Sequence, residues 1–228
     1  MTRVSTSKAK GHSIFVPNEA SRVPQQGRSK ASYERMVNAA EKLMIKRGND
    51  DFTLTEVSKT GKVSIGSIYL RFDSKDDLIR AVHARVLARI EHDQNTMLND
   101  LKDRDQTLDD FAFRFVDAYA DLLKSYSPVL RPIMLRAAND STTSTLGRHS
   151  AEKLSTEVRR HFLYFEGEFG RSDHHRLAET AFRMIYCTLA RYLGLGSSPE
   201  AANEGNWEEL KEDLAIMCAA FLRAKPRP

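Results

Sequence analysis

Residues 63–78 read VSIGSIYLRFDSKDDL, and the way this stretch is parsed decides how the chain is built. Its apolar residues fall in helical steps up to Phe72 and resume at Leu78, while Asp73 and Ser74 interrupt them with residue types that start helices. Ser64 can cap a short helix that runs through about Phe72, because its hydroxyl can accept from a first-turn N–H with no carbonyl of its own. Asp73 and Ser74 compete to cap the next helix, which starts at Lys75. Just upstream, Thr53-Leu54-Thr55-Glu56 is a capping-box sequence that opens a two-turn helix ending near Gly61. Two short helices about three residues apart, with a glycine at the turn, have the proportions of a helix-turn-helix.

Outward from this core the pattern stays helical. Tyr33, Val37, Ala40 and Met44 step 4-3-4 from Ser32 onward, with Gly48 where a C-cap belongs. Phe111, Phe115, Tyr119 and Leu122 step 4-4-3, and Pro128 predicts a break before VLRPIMLRAAND. A longer amphipathic helix is expected to end before Gly170. Two heptad-like stripes close the chain: Ala178, Phe182, Ile185, Leu189, Tyr192, then Trp207, Leu210, Leu214, Met217, Phe221. Such stripes serve packing within one chain or a four-helix seam between two copies. With no strand pattern or repeat, the fold class is all-α. It divides into a basic arm over residues 1–30, a helix-turn-helix domain over 31–80 and a helical body over 81–228.

Charge is unevenly spread. Residues 1–75 hold 14 Lys and Arg against 7 Asp and Glu, a net +7, leaving 21 against 24, a net −3, for residues 76–228. A basic N-terminal third is what a polyanion-binding head needs. Apolar runs are broken by charges such as Arg183 and Arg191, short of the roughly 18–20 residues that span a bilayer. The first thirty residues lack the apolar region of a secretion signal, so a cytoplasmic location is expected. Cys187 and Cys218 are too few for a metal or disulfide framework and read as small buried side chains. The histidines lack i,i+4 ligand spacing, and no HExxH or GxxxxGK[ST] occurs, so neither a metal, a cofactor nor an enzymatic activity is expected.

The short helix after Ser64 suits the major groove. Gly66 keeps no side chain between backbone and ligand, Ile65 and Ser67 face outward near its start, and Tyr69 and Arg71 can reach a phosphate or a base edge. Lys75 adds a cation beside the free N–H groups of the following helix start. Val63, Ile68 and Phe72 are left as anchors.

The stretch TLTEVSKTGKVSIGSIYLRFDSKDDL resembles the DNA-binding signature of the TetR family of one-component transcriptional regulators. The matching residues are Thr53, Val63, Ser64, Gly66, Ile68, Tyr69, Phe72, Ser74, Lys75, Asp76 and Leu78, and the first helix agrees in Ala39-Ala40 and Gly48. Departures are Val57-Ser58 for the usual Ile-Ala, Leu70 and Arg71 where the family often has a polar or aromatic residue and a His or Tyr, and Gly61-Lys62 for the usual Ala-Gly, where Gly61 is expected to supply the positive φ one residue early. The resemblance implies that Tyr69 and Lys75 hold phosphates with Thr53 and Thr55, and that Ile65, Ser67, Leu70 and Arg71 face bases or the groove wall. Lys62 would add charge beside the DNA, and Arg22, Arg28 and Lys30 would reach an adjacent minor groove.

It further implies a homodimer joined through the two closing stripes, reading a palindromic double-stranded operator with half-sites about one helical turn apart. A small apolar or amphipathic effector would enter the body between about residues 84 and 170, shift the fourth helix and release the DNA. Its expected contacts are Phe111, Phe115, Tyr119, Leu122, Met134, Phe162 and Phe165, with Arg114, His161 or Tyr164 as polar partners. The usual mode of such regulators is repression. The alternative is a helical adaptor or structural protein that keeps the fold without specific DNA binding.

Overall fold

The computed structural model describes residues 27–101, 107–195 and 202–226, and the regular structure within them is helical throughout. Helices α1 (Gly27–Arg47), α2 (Leu54–Gly61), α3 (Ile65–Tyr69) and the first half of α4 (Lys75–Leu101) form a head. The rest of α4 joins α5 (Leu108–Ala137), α6 (Ser141–Phe162), a 3₁₀ segment (Leu163–Glu168), α7 (His174–Tyr192) and α8 (Trp207–Arg223) in a body. No helix among the described residues is long and apolar enough to cross a membrane.

Each part has its own core. In the head, Met36, Val37 and Met44 of α1, Val57 of α2, Ile68 of α3 and Leu78 and Val82 of α4 close around Phe72, whose ring stacks on Tyr33 at 5.7 Å. Val129 and Ile133, near the C-terminal end of α5, complete that core from the body side. Glu41 of α1 ties the head to α4, accepting from Arg85 and, at 2.5 Å, from Arg89. In the body, Phe111, Phe115, Tyr119, Phe162 and Phe182 pack ring against ring with centroids 5.0–6.1 Å apart. Lys211 bonds Asp117 at 2.5 Å and Trp207 donates to Asp121 at 3.3 Å, fixing α8 along α5.

Four features differ from the sequence expectation. Helix α1 starts at Gly27, five residues before Ser32, and its opening is held from outside by Arg71, which donates to Ser29 Oγ at 2.5 Å. The rest of the expected arm, with Arg22, lies outside the described residues, as does the side chain of Arg28. Pro128 does not break α5, which runs through both Pro128 and Pro132. A proline withholds the N–H that the carbonyl four residues back would receive. Here that carbonyl, on Lys124, accepts instead from Ser127 Oγ at 2.8 Å. The α6 helix stops at Phe162, and the 3₁₀ segment after it is anchored by Glu168, which accepts from Leu108 N at 2.8 Å and from Arg223 at 2.6 Å. Cys218 is buried as expected, whereas Cys187 is exposed on α7.

Candidate nucleic-acid interface and the cavity behind it

The head's functional geometry grows from its caps. Thr53 and Glu56 form the reciprocal capping box: Glu56 N donates to Thr53 Oγ1 at 3.2 Å and Thr53 N donates to Glu56 Oε2 at 2.9 Å. Arg47 reaches the same carboxylate, and the backbone bond from Thr53 together with Arg47 holds Glu56 down to about 2. The turn between α2 and α3 is solved differently from the expectation. Lys62, not Gly61, adopts the left-handed conformation, at φ 51° and ψ 48°. Gly61 is needed for space instead, since a Cβ there would sit 2.9 Å from the Arg35 carbonyl and 3.2 Å from Ala39 Cβ. The turn is closed by Ser58, whose hydroxyl donates to Val63 O at 2.6 Å. In the sequence Ser58 reads only as a departure, although a serine three residues before the end of a helix is a turn-bonding type.

Ser64 caps α3 as expected, accepting from Ser67 N at 3.1 Å, and Ser74 rather than Asp73 caps α4, accepting from Asp77 N at 3.1 Å. Between these fixed ends α3 buries Ile68 and turns Ile65, Tyr69 and Leu70 to solvent, with Leu70 75% and Tyr69 59% exposed. Thr53, Thr55, Lys62, Ser64 and Gly66 are exposed beside them, and Lys30 is exposed on α1. Gly66 has a plain helical backbone, and a Cβ added to it would meet nothing within 4 Å. Besides the caps Thr53 and Ser64, three predicted contacts carry internal bonds. Ser67 shares a 2.7 Å hydrogen bond with Ser64, Arg71 is half-buried against Ser29, and Lys75 donates to Asp50 O at 2.7 Å above the Phe52 ring.

Residues 36–82 match the model of the bacterial regulatory proteins of the tetR family. The head is a TetR-type DNA-binding domain. The body is placed by solved structures, whose low identity speaks to fold alone. A TetR-family transcriptional regulator from Mesorhizobium loti MAFF303099 superposes at TM-score 0.64 with 20% identity, over 86% of this chain and 98% of that one. The fatty acid degradation regulator FadR from Bacillus halodurans reaches 0.63 at 12% identity, over 89% and 100%. A transcriptional regulator from Aquifex aeolicus VF5 reaches 0.56 at 19%, over 82% and 96%. The comparison with curated proteins finds no match.

Behind the TetR-type head lies a cavity of about 330 Å³ among α4, α5, α6 and α7. Of the ten predicted effector contacts, Tyr119 and Met134 line it. Phe111, Phe115 and Phe162 are instead locked in the aromatic core, with Phe165 stacked on Phe111 at 5.3 Å. His161 stacks on Phe111 and bonds the Glu157 carbonyl at 2.9 Å, and Tyr164 is exposed. Arg114 and Leu122 border a separate depression between α4 and α5. The residues missed are polar ones inside apolar stripes. His83, Leu87, Ile90 and Gln94 step 4-3-4 along α4 into the cavity, and Thr143 enters from the first turn of α6. A histidine and a glutamine in register with Leu87 and Ile90 were the available signal. Among the described residues no group of three or more His, Cys, Asp or Glu could hold a metal ion.

The cavity and the head share one charged node. Asp140 caps α6 by accepting from Thr142 N and Thr143 N at 3.0 and 3.1 Å, and it also receives Arg136 at 3.1–3.2 Å. Arg136 extends from α5 to Asp50, before α2, at 2.6 Å and to Asp76 of α4 at 3.0 Å. Asp50 is the residue whose carbonyl receives Lys75.

The closing stripes are placed differently from the expectation. Ala178, Phe182, Ile185, Leu189, Trp207 and Leu214 are all at most 7% exposed inside one chain, because α7 and α8 turn their widest apolar faces onto α5 and α6. Tyr192, Leu210 and Phe221 are half-buried, and Met217 alone of the ten is exposed. The outward face of the pair instead carries Met184 and Cys187 on α7 and Ile216, Met217 and Ala220 on α8.

Proposed function

We propose that the chain is a homodimeric transcriptional repressor that reads a palindromic operator with α3 and releases it when a small effector fills the cavity. The observation that carries the reading is the outer face of α3. Glycine in a helix costs roughly 0.5–1 kcal/mol against alanine, and nothing among the described residues requires one at Gly66. Its absent side chain, flanked by exposed Ile65, Tyr69 and Leu70, serves a surface that comes from outside. In this reading Ile65 and Leu70 lie against thymine methyls or the groove wall, and Tyr69, Thr55 and Lys62 reach phosphates. Arg71 and Lys75 act by holding α1 and the α1–α2 loop in register, with Lys75 keeping two further N–H groups for a phosphate.

The second copy is supported by the outward face of α7 and α8. Its exposed Met184, Ile216 and Met217 are flanked by Arg183 and Arg191 on α7 and by Glu209, Glu212 and Asp213 on α8. A two-fold pairing of α7 against the partner copy's α8 brings the acidic side chains of α8 beside two arginines that also hold Glu179 and Glu204, around an apolar centre. Release is supported by the Asp140–Arg136 node, through which a ligand that displaces Thr143 bears on Asp50 and Asp76 of the head.

The test is selection of bound fragments from source genomic DNA by the full chain at two salt concentrations. A palindromic site that survives the higher salt supports the reading. Recovery of salt-labile DNA without sequence preference favours a helical adaptor that keeps the fold alone. Met217→Asp with Ile216→Asp is expected to give monomers in sedimentation, and an unchanged dimer would move the interface elsewhere.

A further inference from the structure

We propose that the cavity among α4, α5, α6 and α7 binds a small uncharged molecule with an apolar body and one hydroxyl-like group, received by His83 and Thr143. The inference deepens the regulator reading, but its test needs no DNA. At about 330 Å³ the cavity is at the small end of small-molecule sites. Its walls are mostly apolar, including Leu87, Ile90, Leu123, Leu130 and Ile133. Within that wall two side chains, each 1% exposed, carry polar atoms with no partner among the described residues: His83 Nδ1 and Thr143 Oγ1. Buried polar atoms of folded proteins are nearly always bonded, so two orphans in one apolar cavity mark the place of a ligand's polar group.

The charges around the cavity select against an anion. On α4, Arg80 is paired with Asp77 and Asp140; on α5, Arg136 is paired with Asp50, Asp76 and Asp140; the α6 cap Asp140 is itself filled. Arg80 and Arg136 lie outside the lining, whose one cation, Arg148, is exposed, while Gln94, Tyr119 and Tyr186 are neutral. Burial holds the His83 imidazole well below its ordinary value, at about 4, so the ring is neutral at physiological pH. A carboxylate brought to His83 would therefore lose its water without meeting a counter-ion. A neutral imidazole offers one donor and one acceptor, and threonine offers both. A hydroxyl, which donates and accepts, satisfies the pair in either imidazole tautomer.

Calorimetric titration of the full chain at pH 7.5 with 1-octanol and with octanoate tests this. Octanol is expected to bind once per chain and octanoate at least tenfold more weakly. Thr143→Val and His83→Phe are each expected to weaken octanol about tenfold, while Thr143→Ser, which restores the hydroxyl, keeps the affinity; unfolding midpoints identify any variant that has failed to fold. Octanoate binding as tightly as octanol would overturn the proposal, as would octanol affinity unchanged in both Thr143→Val and a folded His83→Phe. No octanol binding by a chain that still selects an operator would sink the ligand class and leave the regulator standing. Octanol binding by a chain that selects no DNA would do the reverse.

Discussion

The helix starts of the head and the cavity side of the body meet their polar groups in opposite ways. In the head, α2, α3 and α4 each begin on a side chain that bonds an N–H three residues on: Thr53, Ser64 and Ser74. The turn between α2 and α3 is closed by Ser58, and the loop before α2 is held by Lys75. Around the cavity, His83 and Thr143 bury polar atoms that no neighbour satisfies. A region whose groups are bonded locally keeps one shape and presents a fixed face. A region that offers a cavity lined by buried polar atoms left unpaired by the chain itself gains bonds from a ligand and is where a second arrangement can be selected.

The contrast can be broken by measurement. The largest expected effect is Phe72→Ala in the head core, which is fully buried and should lose about 3–5 kcal/mol in denaturant unfolding. Thr143→Val in the cavity should instead gain about 1 kcal/mol, since it removes an unsatisfied hydroxyl at nearly constant shape. A comparable loss at Thr143 would mean that its hydroxyl is bonded in solution and the contrast fails. Arg136→Ala, at the node between the two regions, is expected to cost about 1–3 kcal/mol by removing the charged partner of Asp50 and leaving Asp140 with Arg80 alone as its counter-ion. If an effector loosens DNA binding in the parent chain, it should do so less in this variant.

Two glycines sharpen the comparison within the head. Gly61→Ala pushes a methyl to 2.9 Å from a backbone oxygen and should cost about 1–2 kcal/mol. Gly66→Ala should raise stability by about 0.5–1 kcal/mol and weaken DNA binding, and unchanged affinity would remove the main support for α3 as the reading helix. The smallest effect is a pH dependence. Glu56 is held at about 2, below the roughly 4.3 of an unfolded glutamate, so its contribution is complete above the unfolded value and is lost as pH falls through the folded one. The stability difference between the parent and Glu56→Gln should therefore shrink from about pH 4.3 towards 2. A difference that is flat across that window would show that the capping box does not persist in solution.

Much of the head was legible because its rules act over three or four residues. Ser64, Thr53 and Glu56 are caps by type and spacing, and all bond as the sequence implied. The one local misreading, at Gly61-Lys62, came from a contact across the fold. Backbone freedom alone favours glycine at the left-handed position, but only α1 packed on α2 shows that Gly61 is required where Arg35 comes close. The candidate reading face was legible as a patch but not in its divisions. That Arg71 faces Ser29, 42 positions away, is invisible to any local pattern.

The body shows the limit more sharply. Periodicity marked Ala178, Phe182, Ile185 and Leu189 as one apolar face, and they are one. A stripe carries no label for what covers it, and here α5 and α6 do. Proline is a helix breaker by its own chemistry, yet Ser127 and the packing of α5 keep α5 whole. The sequence by itself determined the helices, most of their starts, the basic head and the residue types of its outer surface, because caps and periods are set by near neighbours. Only the tertiary structure decided which apolar faces are interior, that His83 and Thr143 share a cavity, and that Arg136 joins that cavity to the head, because each depends on residues brought together from distant parts of the chain.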